Sequence, residues 1–282
     1  MERISRAFSR GPLHVLMLII ALIWLLPSVG LFVSSFRPAE AISSTGWWTS
    51  FQTPAQFTLD LYRQALTQQG MAQSFLNSLF ISIPATVIPI MIAAFAAYAF
   101  AWLEFPGRQL IFVLVIGLLV VPLQMTFIPI LKVYNLTGLT GTFPAIWLAH
   151  AGYGLPFAIY LLRNFIGSLP RDLFESAYLD GASSFDIFFS IVMPLSVPAL
   201  ASLVIFQFMW VWNDLLVALI YLGGIPSVAP MTVTISNQVN SLGGNWQVLT
   251  ASAFISMTLP LLVFFTLQRY FVRGLLAGSV KG

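Results

Sequence analysis

Long uncharged stretches, broken by short clusters of charge, run the length of this chain. No charge falls between Arg10 and Arg37, between Arg63 and Glu104, or between Arg108 and Lys132. The same holds from Lys132 to Arg163, from Asp186 to Asp214 and from Asp214 to Arg269. A helix that crosses a bilayer needs roughly 20 apolar residues, and each of these gaps is long enough for one. A membrane barrel would need apolar and polar positions to alternate. LMLIIALIWLL from Leu16 and IFVLVIGLLVV from Ile111 do not alternate. The pattern predicts an all-α membrane protein with six transmembrane helices, at about 12–35, 74–101, 110–131, 143–163, 197–222 and 248–271. They form a single domain over 1–282, with an inner loop at 164–196 and a C-terminal tail at 272–282. The first apolar run is too long for a signal peptide, and no small-residue cleavage site follows it.

Composition agrees with lipid as the main solvent. The chain is 59% hydrophobic and 7% charged, against about 25% charged in a soluble domain. Its net charge of +3 and the lack of an arginine-rich patch give no sign of a nucleic-acid partner. Without cysteine it has neither disulfides nor thiolate metal sites. Cations concentrate on the cytoplasmic side of membrane proteins. With the N-terminus inside, nine of the twelve Lys and Arg residues are cytoplasmic, leaving Arg37, Arg63 and Lys132 outside. Both termini are then cytoplasmic, and the outer loops are about 36–73, 132–142 and 223–247. The Gly46-Trp47-Trp48 run in the first suits an interfacial anchor.

Four of the nine acidic residues, Asp172, Glu175, Asp180 and Asp186, gather in the inner loop. Ser168-Leu169-Pro170 has the form of a helix start, with Ser as the cap. Leu173, Phe174, Ala177 and Tyr178 follow at helical spacing and make one apolar face. Arg171 is spaced to pair with Glu175. Asp180-Gly181 closes this helix, since glycine suits the left-handed position after a helix end. Ser183 to Asp186 has capping-box spacing and starts a second helix that presents Phe185, Phe188 and Phe189. Pro194 and Pro198 mark its end. The segment reads as a helix, a glycine elbow and a helix. Capping explains much of the acid cluster. From the residues alone, both a docking surface and a loop packed on its own helices fit.

Glu175-Ser176-Ala177, Asp180-Gly181-Ala182, Ile191 and Pro194 resemble the EAA loop of membrane subunits of binding-protein-dependent ABC importers. Ser176 replaces an Ala of that pattern, and Met193 replaces the Leu before the proline. The six spans, Trp212 to Leu216 (WNDLL) and the ending QRYFVRGLLAGSVKG resemble the smaller permease subunit of maltose-type carbohydrate importers. The resemblance implies a type I ABC importer permease fold, a bacterial inner-membrane location and a coupling-helix elbow seated in an ATPase subunit. It implies a second homologous permease, two ATPase subunits, a periplasmic or lipid-anchored solute-binding protein and a carbohydrate substrate. It also implies that the tail from Gly274 reaches toward the ATPase interface, with GLLAG as a tail turn. Trp47 to Phe51 (WWTSF) and the run of the chain look most like permeases for glycosides such as α-glucosides. Polyols, glycerol conjugates and modified sugars stay open.

The chain has no GxxxxGK[ST] loop, so ATP and Mg belong to partner subunits, and this chain is expected to bind no cofactor and to catalyse nothing. His14 and His150 stand apart, without the clustered ligands of a metal site, and His150 is expected to hydrogen-bond within the bundle. Asp214 is the one acid inside a span, and an acid there should face the bundle or a wet cavity. Gln207, Trp210, Asp214 and Tyr221 follow one helical stripe, with Asn213 beside it. Polar groups beside aromatic rings suit a sugar, so these five are the substrate-path candidates. Equally, Asn213 and Asp214 suit bonds to neighbouring helices. The prolines in the spans free carbonyls that can line a cavity. A secondary transporter would show inverted repeats and buried ion sites, and a membrane enzyme would show a catalytic constellation. Neither is evident.

Overall fold

The computed structural model describes the backbone of residues 2–52, 57–238 and 246–279, and the side chains of 11–52, 57–238 and 246–268. Among the described residues all regular structure is helical. In chain order the helices are α1 (Glu2–Ser35), α2 (Ala39–Ser44), α3 (Asp60–Thr67), α4 (Met71–Trp102), α5 (Arg108–Gly117), α6 (Leu123–Thr137) and α7 (Phe143–Ile166). There follow α8 (Arg171–Leu179), α9 (Ser184–Ile187), α10 (Met193–Leu195), α11 (Val197–Trp212), α12 (Leu216–Leu222), α13 (Met231–Gln238) and α14 (Trp246–Ser279). Four described helices are long and apolar enough to cross a membrane, or up to six if each of two bent pairs is one span.

Two predicted spans are not straight helices. The third is split into α5 and α6, which meet at 101°. Proline disfavours the helical conformation in the residue before it, and Val121, preceding Pro122, is extended with φ −73° and ψ 117°. Pro122 therefore breaks the span, whereas Pro129 stays inside α6. That helix continues to Thr137, so Lys132 is helical and not in a loop. The fifth span is interrupted at Asn213–Leu215, between α11 and α12. The last helix continues past the expected tail boundary to Ser279. GLLAG is therefore helical and not a turn, and residues 280–282 lie outside the described residues.

The chain divides into two compact units, Met1–Ala72 with Ile235–Met257 and Gln73–Thr234 with Thr258–Gly282. In the first, Phe32 of α1 meets Phe254 edge to face at 5.2 Å, and Ser35 Oγ lies 2.8 Å from the Tyr62 hydroxyl. Arg37 is buried. Its guanidinium donates to Ala41 O at 3.1 Å and Thr45 O at 3.3 Å, satisfying carbonyls at the end of α2. Trp48 of the expected anchor is exposed.

The second unit is organised around α4. Ala85, Ala93, Ala94 and Ala97 are almost wholly buried. Small residues let helices approach closely where lipid supplies little hydrophobic drive. At its start, Ser74, Asn77 and Ser78 share one face. Asn77 Nδ2 donates to Ser227 O and Ala229 O at 3.1 and 3.0 Å, and Ser78 Oγ accepts from the Met231 amide at 2.9 Å. These bonds fix the segment that leads into α13.

Candidate functional site

The acid-rich loop folds as two helices and an elbow, as its caps predict. Ser168 is not the cap of α8: its hydroxyl donates to Phe165 O at the end of α7, and Pro170 takes the cap position. No ion pair joins Arg171 and Glu175 among the described residues. The elbow itself is a Schellman turn. The Gly181 amide donates to Tyr178 O at 3.1 Å and the Ala182 amide to Ala177 O at 3.0 Å. Gly181 has φ +81°, which L side chains rarely adopt. Ser183 then caps α9. Its Oγ accepts from the Asp186 amide at 3.3 Å and donates to Asp186 Oδ2 at 2.5 Å, and that carboxylate accepts from the Ser183 amide at 3.0 Å. These two bonds from Ser183 hold the Asp186 carboxyl below the usual carboxylate range.

Pro194 does not end the second helix. The backbone widens into a π stretch over Phe188–Val192 and stays helical through α10. A proline removes one amide and its ring crowds the carbonyl four residues back, here Ser190 O. The wider turn accommodates both. Ile191 is half-buried and Pro194 exposed.

Within the elbow the apolar residues separate by side. Phe174, Ile187, Phe188 and Val192 are buried in one cluster with residues of α4 and α7. Leu179 and Phe185 are 89% and 70% exposed, and Glu175, Ser176, Asp180 and Gly181 are exposed with them. Ala177 and Ala182 are half-buried. The loop thus packs on its own helices through one face and leaves its turn and acidic side open.

The path candidates do not share one continuous helix, because α11 stops at Trp212. Gln207 is buried, and its Nε2 donates to Ala85 O at 3.1 Å and to His150 O at 3.3 Å. Gly154 permits this, since a side chain there would collide with the Gln207 amide. Asp214 turns to the second half of the span: its carboxylate accepts from the Val217 and Ala218 amides at 3.3 and 3.0 Å, at the start of α12. Asn213 Nδ2 donates back to Met209 O at 2.7 Å, and Asn213 is exposed. Tyr221 is fully buried with its hydroxyl 2.8 Å from that of Tyr153. Trp210 is 38% exposed and meets His150 edge to face at 5.1 Å. Among the described residues the His150 ring forms no hydrogen bond, contrary to expectation. Its Nε2 lies 3.7 Å from Asp214 Oδ2, and the group Gln207 engages is the histidine's carbonyl.

The helical membrane fold agrees with the comparisons to known proteins. Residues 74–276 match the family described as "Binding-protein-dependent transport system inner membrane component". The chain belongs to this family. It is 63% identical over 283 residues to the osmoprotective compounds uptake permease GgtD of Synechocystis sp., covering 99% of this chain and 95% of that one. The alpha-glucoside transport system permease AglG of Rhizobium meliloti is 59% identical over 82% of this chain and 62% of its own length. A bacterial ABC transporter involved in import of the polysaccharide alginate shares the fold, with TM-score 0.75 and 22% identity over 95% of this chain and 98% of that one.

Several residues that shape this permease were not found from sequence. Proline at 84 and 89 leaves the carbonyls of Phe80 and Ala85 without their helical donors. Each of the two carbonyls is met by a side-chain donor instead. Trp147 Nε1 donates to Phe80 O at 2.9 Å, and Gln207 serves Ala85 O. Thr126, Tyr153 and Tyr221 form a hydroxyl chain at 2.7 and 2.8 Å. Thr126 gives its single proton to Leu123 O at 2.6 Å, so Tyr153 donates to Thr126 and Tyr221 to Tyr153. The chain joins α6, α7 and α12, including pieces of both broken spans. Proline positions signalled which carbonyls lose a donor, but no pattern signalled their partners.

Proposed function

We propose that this chain is one permease subunit of an ATP-driven importer for a sugar, glycoside or sugar conjugate, working as a single translocation domain by alternating access. Its partners are a second homologous permease, two ATPase subunits that hold ATP and Mg, and a periplasmic or lipid-anchored binding protein. The chain itself binds no cofactor and is not catalytic. Family membership and the names of its relatives support this reading, and none of those relatives or structures is a secondary carrier.

The observation that carries the mechanism is the elbow. Its two helices are fixed by a Schellman turn and a capping box, and its exposed side joins Glu175 and Asp180 to Leu179 and Phe185. Exposed aromatic and aliphatic side chains on a rigid turn suit a protein cleft. We assign Glu175, Ser176, Ala177, Asp180, Gly181, Ala182, Ile191 and Pro194 to ATPase coupling, on the cytoplasmic side with both termini. Along the path, exposed Trp210 and Asn213 are best placed to meet a sugar, while Asp214 lies at the break between half-helices. Buried Gln207 and Tyr221 act by holding the helices around it.

The test is purification of the tagged chain in mild detergent, wild type against Glu175→Arg, with co-purified proteins identified by mass. A P-loop ATPase and a second permease are expected with the wild type, and the ATPase is lost with the variant. A chain that purifies alone, yet takes up α-glucosides in vesicles without ATP, sinks the proposal.

A further inference from the structure

The elbow rests on a span that its position in the chain does not point to. It lies between α7 and α11, so the direct covalent route for its motion is into those two helices. Its closest ring contacts are instead with α4. Trp102, in the last turn of α4, stacks on Phe174 of α8 with centroids 3.7 Å apart and planes at 15°. The Trp102 indole also donates to Ile166 O at 3.0 Å, at the end of α7. Two turns earlier, Phe95 stacks on Phe188 at 4.4 Å and 20°, and Tyr98 lies 5.7 Å from the same ring. Phe95, Tyr98 and Trp102 fall at i, i+3 and i+7, one stripe of a helix. Phe174 and Phe188 are each 1% exposed. Both arms of the elbow, before and after Gly181, are therefore seated on one stripe of α4.

We infer that Trp102 is a positioning residue for coupling: it fixes the elbow to α4, so that the two move as one body when the ATPase subunits close. This inference rests on the coupling role proposed for the elbow. Phe174 is packed in the cluster with residues of α4 and α7, so its ring cannot shift without displacing close-packed neighbours, and the indole bond ties Trp102 to α7. Motion applied to the elbow then enters the span that also carries the Pro84 and Pro89 contacts to α7 and α11.

The test uses the assembled importer in proteoliposomes and reads substrate imported per ATP hydrolysed. The chain has no cysteine, so Trp102→Cys with Phe174→Cys gives one defined thiol pair. Before cross-linking, loss of the stack and the indole bond is expected to lower the import-to-ATP ratio by about tenfold, with the ATPase subunits still co-purifying. A short thiol cross-linker is expected to restore the ratio, because it rejoins the two elements. Trp102→Phe, which keeps a ring, is expected to retain most of it. An unaltered ratio in the uncross-linked double variant overturns the inference. So does cross-linking that stops import, since the elbow must then slide on α4. Glu175→Arg is run alongside. If it keeps both its ATPase and its import, the coupling reading of the elbow has failed, whatever Trp102 does. If it loses them while the cysteine pair is indifferent to cross-linking, only the inference about Trp102 has failed.

Discussion

Two prolines in α4 create a need that two distant side chains meet. Gln207 serves Ala85 O and also reaches His150 O, joining α4, α7 and α11 at one amide. Interhelical hydrogen bonds in membranes average roughly 0.6 kcal/mol and reach about 1.7. Gln207→Leu keeps the volume and removes both bonds, so it should cost about 1–2 kcal/mol. A thermal melt in detergent measures this, and the apparent affinity for substrate should not change. A variant of normal stability with weakened affinity would return Gln207 to the sugar path. Gly181 is the other residue where one atom decides. Among the described residues nothing lies within 4 Å of a side chain added there, so within this chain the penalty is its φ of +81°. Asn and Asp tolerate that region best and β-branched residues worst. Gly181→Asp is thus a milder probe of uncoupling than Gly181→Val. The valine variant should cost about 1–3 kcal/mol and uncouple import from ATP hydrolysis while still inserting. Import at the wild-type rate by the valine variant would remove the elbow's conformation from the mechanism.

At the scale of elements, the start of α9 depends on an ionised carboxylate. Ser183 holds the Asp186 carboxyl below its ordinary value. A depressed folded value means that the stabilising effect is complete above the unfolded value of about 3.9 and is lost as pH falls through the folded one. The difference in melting temperature between wild type and Asp186→Asn should therefore be constant above about pH 5 and shrink below about pH 4. A difference that stays constant into acid would show that the charge of Asp186 does not support the cap. The two broken spans restart differently. Pro122 takes the cap position of α6 without a side-chain bond, whereas the Asp214 carboxylate accepts from amides at the start of α12 where α11 has ended.

For the whole molecule, the proposed orientation can be checked in a chain with no background thiols. Ser176 in the elbow and Gln68 just after α3 are both exposed. In vesicles stripped of the ATPase subunits, Ser176→Cys should react with a membrane-impermeant thiol reagent only when the vesicles are inverted, and Gln68→Cys only in intact spheroplasts. The opposite pattern would reverse the topology and remove the elbow from the cytoplasm.

The sequence by itself determined what depends on composition and near neighbours. Its apolar runs required lipid and helices, because an unpaired backbone group is too costly in a bilayer. The elbow was readable because its caps act over three to five residues, through Ser183, Asp186, Gly181 and Ala182. The break at Pro122 went unread in the apolar pattern, although the rule that the residue before a proline avoids the helical region is equally local. Tertiary structure alone decided the rest. Trp102 reaches Ile166 across 64 positions, and Gln207 reaches Ala85 across 122. The path stripe was drawn on a helix that stops at Trp212, so spacing could not show that Gln207 and Tyr221 turn inward. A lost helical donor can be counted along the chain, but the side chain that replaces it is chosen by which helices pack together.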